Sequence, residues 1–114
     1  MITLYHNPRC AKSREALALL EARGHKPNLI LYIANPPTTK TLKVLLTTLK
    51  MSPRDLLRKS EASYKALKLD DLGLSDSALI KAMAENPTLI ERPIAINGAK
   101  AVIGRPPENV LSIL

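Results

Sequence analysis

The order in which the hydrophobic period changes along the chain is the strongest constraint on the fold. Ile2-Thr3-Leu4-Tyr5 is a short apolar run of β-formers stopped by Asn7-Pro8, and Asn28-Leu29-Ile30-Leu31-Tyr32-Ile33 is a second such run. Between them, Ala11 to Arg23 carries Ala16, Leu17, Leu19 and Leu20 on one helical stripe and meets Gly24, a natural residue after a helix end. Two strands joined through a helix pair in parallel. Near the other end, Pro93-Ile94-Ala95-Ile96 and Lys100-Ala101-Val102-Ile103 flank Asn97-Gly98, a type I′ hairpin signal. A parallel crossover and an antiparallel hairpin together require an α/β protein with a mixed sheet.

Helical spacing fills the middle. Asn35-Pro36-Pro37 breaks the second strand, and Thr38 or Thr39 caps a helix carrying Leu42, Leu45, Leu46 and Leu49. Ser52-Pro53 opens a short helix through Arg58, and Ser60 to Leu67 forms another. Ser75-Asp76-Ser77-Ala78 starts a further helix with Leu79, Ile80 and Met83 facing inward, ending near Asn86-Pro87. Pro106-Pro107-Glu108 opens a last helix ending at Leu114. A length of 114 residues suits one domain, 1–114. With three Tyr, no Phe and no Trp, its core must be aliphatic.

Composition excludes several functions. A single Cys cannot form an internal disulfide or a Cys-rich zinc site, and with two His no metal is expected. An unpaired thiol fits a reducing compartment, so a cytoplasmic location is expected. No signal peptide is visible, and no apolar run approaches the roughly 20 residues of a membrane span. The formal charge of +7 invites a nucleic-acid reading. Basic residues are scattered, however, and aromatic platforms for bases are nearly lacking. An acidic small molecule or oxyanion is the expected ligand.

The chemistry concentrates where the first strand ends: Tyr5-His6-Asn7-Pro8-Arg9-Cys10-Ala11-Lys12-Ser13-Arg14. This places the only cysteine on a strand-to-helix turn, where free N–H groups and the helix dipole favour a thiolate or a bound oxyanion. Ser13 stands where a Cys-x-x-Cys dithiol would need its second thiol. Arg14 gives Cys-x3-Arg, not the Cys-x5-Arg of a phosphatase loop. Arg9, Lys12 and Arg14 supply diffuse positive charge or face solvent, and His25 reads as a loop residue.

His6-Asn7-Pro8-Arg9-Cys10 with Lys12-Ser13-Arg14 resembles the active-site loop of the glutaredoxin-coupled arsenate reductases. The resemblance continues through Leu31-Tyr32 with Asn35-Pro36-Pro37, Leu56-Leu57-Arg58-Lys59, Leu89-Ile90-Glu91-Arg92-Pro93-Ile94, and Gly104-Arg105-Pro106 with Val110-Leu111. It implies a thioredoxin-like fold, a mixed four-stranded sheet with flanking helices and a helical insertion at about 38–86. It also implies that the Cys10 thiolate attacks arsenate, that glutathione attacks next as co-substrate, and that glutaredoxin resolves the mixed species as arsenite leaves. Arg58, Arg92 and Arg105 match the oxyanion-binding arginines, and His6 the histidine that helps the thiol ionise. Ser13 and Arg14 support the loop, and Pro93 is expected to be cis and to face Cys10. No bound cofactor is implied. Two alternatives stay open: a Spx-like regulator that binds RNA polymerase, and a glutathione-dependent thiol reductase acting on mixed disulfides.

Overall fold

In the computed structural model, which describes residues 1–114, the alternation within β1 (Ile2–Tyr5) decides which face of the sheet is packed. Successive side chains point to opposite faces, so Ile2 and Leu4 share one. The register sets Leu4 opposite Ala95 and Ala95 opposite Val102, extending that face across β3 (Ile94–Asn97) and β4 (Lys100–Ile103). The strand order is β2-β1-β3-β4, with β2 (Asn28–Ile30) parallel to β1 and the other pairings antiparallel. The fold is thus the mixed four-stranded α/β sheet expected.

The chain packs as two units, Met1–Asn35 with Arg92–Leu114, and Pro36–Glu91. In the first, α1 (Ala11–Ala22) brings Ala16 and Leu20 onto Ile2, Leu4 and Ala95, while Val110 and Ile113 complete the cluster. Leu17 and Leu19 are only partly buried there, and the fully buried stripe of α1 is Ser13, Ala16 and Leu20. The helix ends in two reverse bonds, Gly24 N–H to Glu21 O at 3.0 Å and His25 N–H to Leu20 O at 3.1 Å. Gly24 at φ +82° supplies the left-handed residue this ending needs.

Other local expectations change in this unit. The C-terminal helix, Pro107–Ile113, is 3-10 rather than α. Its buried residues Pro107, Val110 and Ile113 recur every third position, which three residues per turn stacks in one row. The second strand stops at Ile30 instead of Ile33, because the Leu31 carbonyl accepts from the N–H groups of Ala34 (3.1 Å) and Asn35 (2.9 Å), closing a turn. In the hairpin Asn97 pairs with Lys100, so the two-residue loop is Gly98-Ala99. Gly98 alone is left-handed, at φ +62°, as a type II′ turn requires. Asn97 stays in the strand and its side-chain Nδ2 donates to Ile113 O at 2.7 Å.

The second unit is helical. The side chains of Thr38, Ser52 and Ser75 accept the N–H groups of Thr41, Asp55 and Ala78, capping α2 (Thr39–Leu49), α3 (Pro53–Leu56) and α5 (Asp76–Glu85). Leu42, Leu45 and Leu46 of α2 are buried, as are Leu56, and Leu79, Ile80 and Met83 of α5. The helix opened by Pro53 ends at Leu56 rather than Arg58, because Leu57 turns extended and bridges Ile90. Likewise α4 spans Ala62–Ala66, shorter than Ser60 to Leu67. Arg54 ties the following loop, donating to the carbonyls of Leu69 (2.8 Å) and Asp71 (3.0 Å). No helix is long and apolar enough to cross a membrane.

Candidate active site

The loop between β1 and α1 is held by polar contacts. His6 N–H extends the parallel ladder to Ile30 O at 2.9 Å. Asn7 then organises the turn. Its side-chain oxygen accepts from Arg9 N–H at 3.0 Å, its carbonyl accepts from Cys10 N–H at 3.0 Å, and its own N–H donates to Ser13 Oγ at 3.0 Å. The Arg14 guanidinium donates to Pro8 O at 2.9 Å. Every N–H from His6 to Cys10 is therefore spent inside the protein, Pro8 having none.

Cys10 becomes the N-cap of α1, with φ −92° and ψ 121°, and its side chain makes no capping bond. The N–H groups of Ala11, Lys12 and Ser13 lack intrahelical acceptors, as at every helix start. They carry the positive end of the dipole to the half-buried thiol. Arg105 completes this corner. Its Nε donates to Arg92 O at 2.8 Å, and its Nη2 lies 3.7 Å from Cys10 Sγ. Arg92 is followed by Pro93 through a cis bond, and Arg105 by Pro106 through another. Pro93 is buried and its carbonyl accepts from Gly104 N–H at 2.8 Å. An added Cβ on Gly104 would stand 2.8 Å from Pro93 Cγ and 3.0 Å from Val110 Cγ1.

His6 is only 4% exposed. Its Nδ1 lies 2.6 Å from Ser13 Oγ, and the direction of the shared proton follows the imidazole tautomer. Burial lowers the imidazole pKa, and the charge of Arg14 lowers it further. The ring is therefore neutral at pH 7, and its Nδ1 bond goes to Ser13 rather than to the thiol. Burial also raises the pKa of Tyr5, one residue earlier.

Of the residues singled out in the sequence, Cys10, His6, Ser13, Arg14, Arg92, Pro93 and Arg105 share one unit, and contacts link them as described. Arg58 belongs to the other unit. There its N–H donates to Leu89 O at 2.7 Å, beside the Leu57–Ile90 bridge. Its guanidinium contacts the Glu61 carboxylate and lies 3.7 Å from that of Glu91. Asn7 enters the sequence reading only as a strand stop and Gly104 only as part of a motif; that Asn7 organises the turn and that Gly104 lets Pro93 approach are visible only in the fold. No group of three or more His, Cys, Asp or Glu side chains is placed to hold a metal ion.

Known proteins resemble this chain over nearly its whole length. The model of the ArsC family matches residues 5–113. An uncharacterized protein of Escherichia coli K12, YfgD, is 52% identical over 99% of this chain and 96% of its own. An arsenate reductase of Haemophilus influenzae is 48% identical, covering 99% of this chain and 98% of its own. A solved arsenate reductase from Vibrio cholerae is 50% identical and superposes with a TM-score of 0.97 over 99% of this chain and 97% of that one.

Proposed function

Because the chain belongs to the ArsC family, we propose that it is an arsenate reductase whose nucleophile is Cys10. The observation that carries this reading is the Arg105 guanidinium 3.7 Å from Cys10 Sγ at the start of α1. A cysteine attacks as its thiolate, and here a guanidinium and a helix N-terminus adjoin the sulfur. The same groups offset the repulsion between a thiolate and an incoming oxyanion.

The sulfur bonds to arsenic, and one arsenate oxygen leaves as water after protonation, with arsenic still pentavalent. An external thiol then condenses on arsenic and a second water leaves. A second external thiolate attacks that thiol's sulfur. An S–S bond forms, the S–As bond breaks, and its electron pair remains on arsenic. Arsenic is now trivalent, and water releases arsenite and Cys10. Two thiols have become one disulfide. Cys10 is the only cysteine of the chain, so both electrons come from outside. In our reading the donors are glutathione and a glutaredoxin, which a reducing cytoplasm supplies.

Arg58, Arg92 and Arg105 are the oxyanion ligands in this reading, because guanidinium groups donate in pairs to tetrahedral oxyanions. Binding by Arg58 exchanges a carboxylate partner for the oxyanion. The test is arsenate-dependent NADPH oxidation with glutathione and glutaredoxin saturating. Cys10→Ser abolishes turnover. Alanine at any of the three arginines lowers it about tenfold or more, and lysine restores part of the loss. A fully active Cys10→Ser protein removes the enzyme reading. Six arginine variants that match wild type remove only the oxyanion site.

A further inference from the structure

Four cations flank Cys10 in sequence or in space, and Arg9 is set apart from the other three. Arg14 is committed to Pro8 O, and Arg105 to Arg92 O and the thiol. Lys12 stands 3.9 Å from Glu15. The Arg9 side chain is exposed and makes no ion pair or hydrogen bond within the chain, although its backbone is tightly held. Its N–H donates to Asn7 Oδ1 and the next N–H, that of Cys10, donates to Asn7 O. The guanidinium therefore supports nothing in the fold, yet its Cα is fixed immediately before the nucleophile. From His6 to Glu15 the chain has three cations, Arg9, Lys12 and Arg14, against one carboxylate, Glu15.

We propose that Arg9 selects the thiol that approaches Cys10, favouring an anionic low-molecular-weight thiol over neutral or cationic ones. The place of that thiol in the reaction rests on the arsenate reading above. After the first step the arsenic carried by Cys10 keeps negatively charged oxygens, and a thiol bearing carboxylates is repelled by them. An uncommitted cation one residue before the nucleophile, on a backbone held by Asn7, offsets this repulsion and raises the local concentration of anions. In the step affected, the thiol sulfur bonds to arsenic, its proton leaves with an arsenic-bound hydroxyl group as water, and no oxidation state changes. A cationic thiol gains nothing from Arg9 and is disfavoured by it.

The lone cysteine makes the experiment clean, since every thiol alkylation reports on Cys10. Rates with anionic iodoacetate and neutral iodoacetamide are measured on the intact protein, and their ratio cancels changes in intrinsic thiol reactivity. Relative to wild type, the ratio falls about threefold in Arg9→Gln and about tenfold in Arg9→Glu, and these differences shrink as salt is added. Arg9→Lys retains the wild-type ratio. With arsenate saturating, preference for glutathione over cysteamine falls in the same order. An unchanged alkylation ratio in Arg9→Glu overturns the proposal, as does an equal loss in Arg9→Lys. So does an unaltered thiol preference in the presence of a normal arsenate turnover. If wild type shows no arsenate turnover, the arsenate reading fails while the alkylation ratio still decides the role of Arg9.

Discussion

The loop from His6 to Arg14 and the helical unit Pro36–Glu91 hold their shapes by different means. The helical unit relies on buried aliphatic side chains, Leu42, Leu45, Leu46, Leu56, Leu79, Ile80 and Met83 among them, with hydroxyl caps at its helix starts. The loop relies on hydrogen bonds that pass through Asn7, Ser13 and Arg14. Apolar burial contributes in proportion to area and has no direction. A hydrogen bond contributes only about 0.5–1.5 kcal/mol net, but it fixes distances and angles. The difference separates the two properties a variant can lose. Stability depends more on the helices, and the placement of the thiol depends more on the loop.

The largest expected effect probes the apolar side. Leu56 is fully buried, so Leu56→Ala costs about 2–5 kcal/mol, read as a lower urea midpoint with an unchanged m-value. A loss under 1 kcal/mol breaks the comparison, because the helical unit would then not depend on packing. Ser13→Ala probes the polar side. It removes the hydroxyl that meets both His6 Nδ1 and Asn7 N–H, at a cost of about 1–3 kcal/mol. Its loss of arsenate turnover should exceed that of Leu56→Ala measured where both are fully folded. Equal activities would show that the loop does not place the thiol.

The smallest effect is a pH dependence. Folding lowers the His6 pKa from its ordinary 6.5, so the unfolded chain binds a proton that the folded chain takes up only at lower pH. Stability from this source is complete above about pH 6.5 and declines as pH falls toward the lower folded value. His6→Gln should flatten the part of the slope that His6 contributes, seen by comparing urea midpoints at about pH 7.5 and about pH 5. An identical slope in the variant would remove His6 from the account.

The parts of the fold legible in the sequence are those that a repeating pattern encodes. The parallel crossover, the hairpin strands and the capped helices follow from period and from Thr38, Ser52, Ser75 and Gly24. The exceptions arise where a partner distant in sequence intervenes. Leu57 leaves its helix for Ile90, and Asn97 is kept in its strand while bonding Ile113 O. The site divides in the same way. Cys10 at a strand-to-helix turn is a local property and was readable. The carbonyl of Arg92 that orients Arg105, and the carboxylate of Glu91 near Arg58, are supplied by other segments. Ser13 was noticed as the residue that replaces a second thiol, while its bond to a buried imidazole depends on the turn being formed.

Gly104 gives the thiol corner a clearance gauge. Two solid walls, the Pro93 ring and the Val110 side chain, stand 2.8 Å and 3.0 Å from where its Cβ would lie, so the gap between them is set by an atom that is missing. Arg92, whose carbonyl seats Arg105, adjoins one wall, and Arg105 adjoins the gauge itself. An error of one methyl here accumulates along the linkage from residue 104 to Pro93, to Arg92, to the guanidinium and finally to the sulfur. A proline ring has little freedom to absorb it, so the closeness of this corner rests on a residue without a side chain.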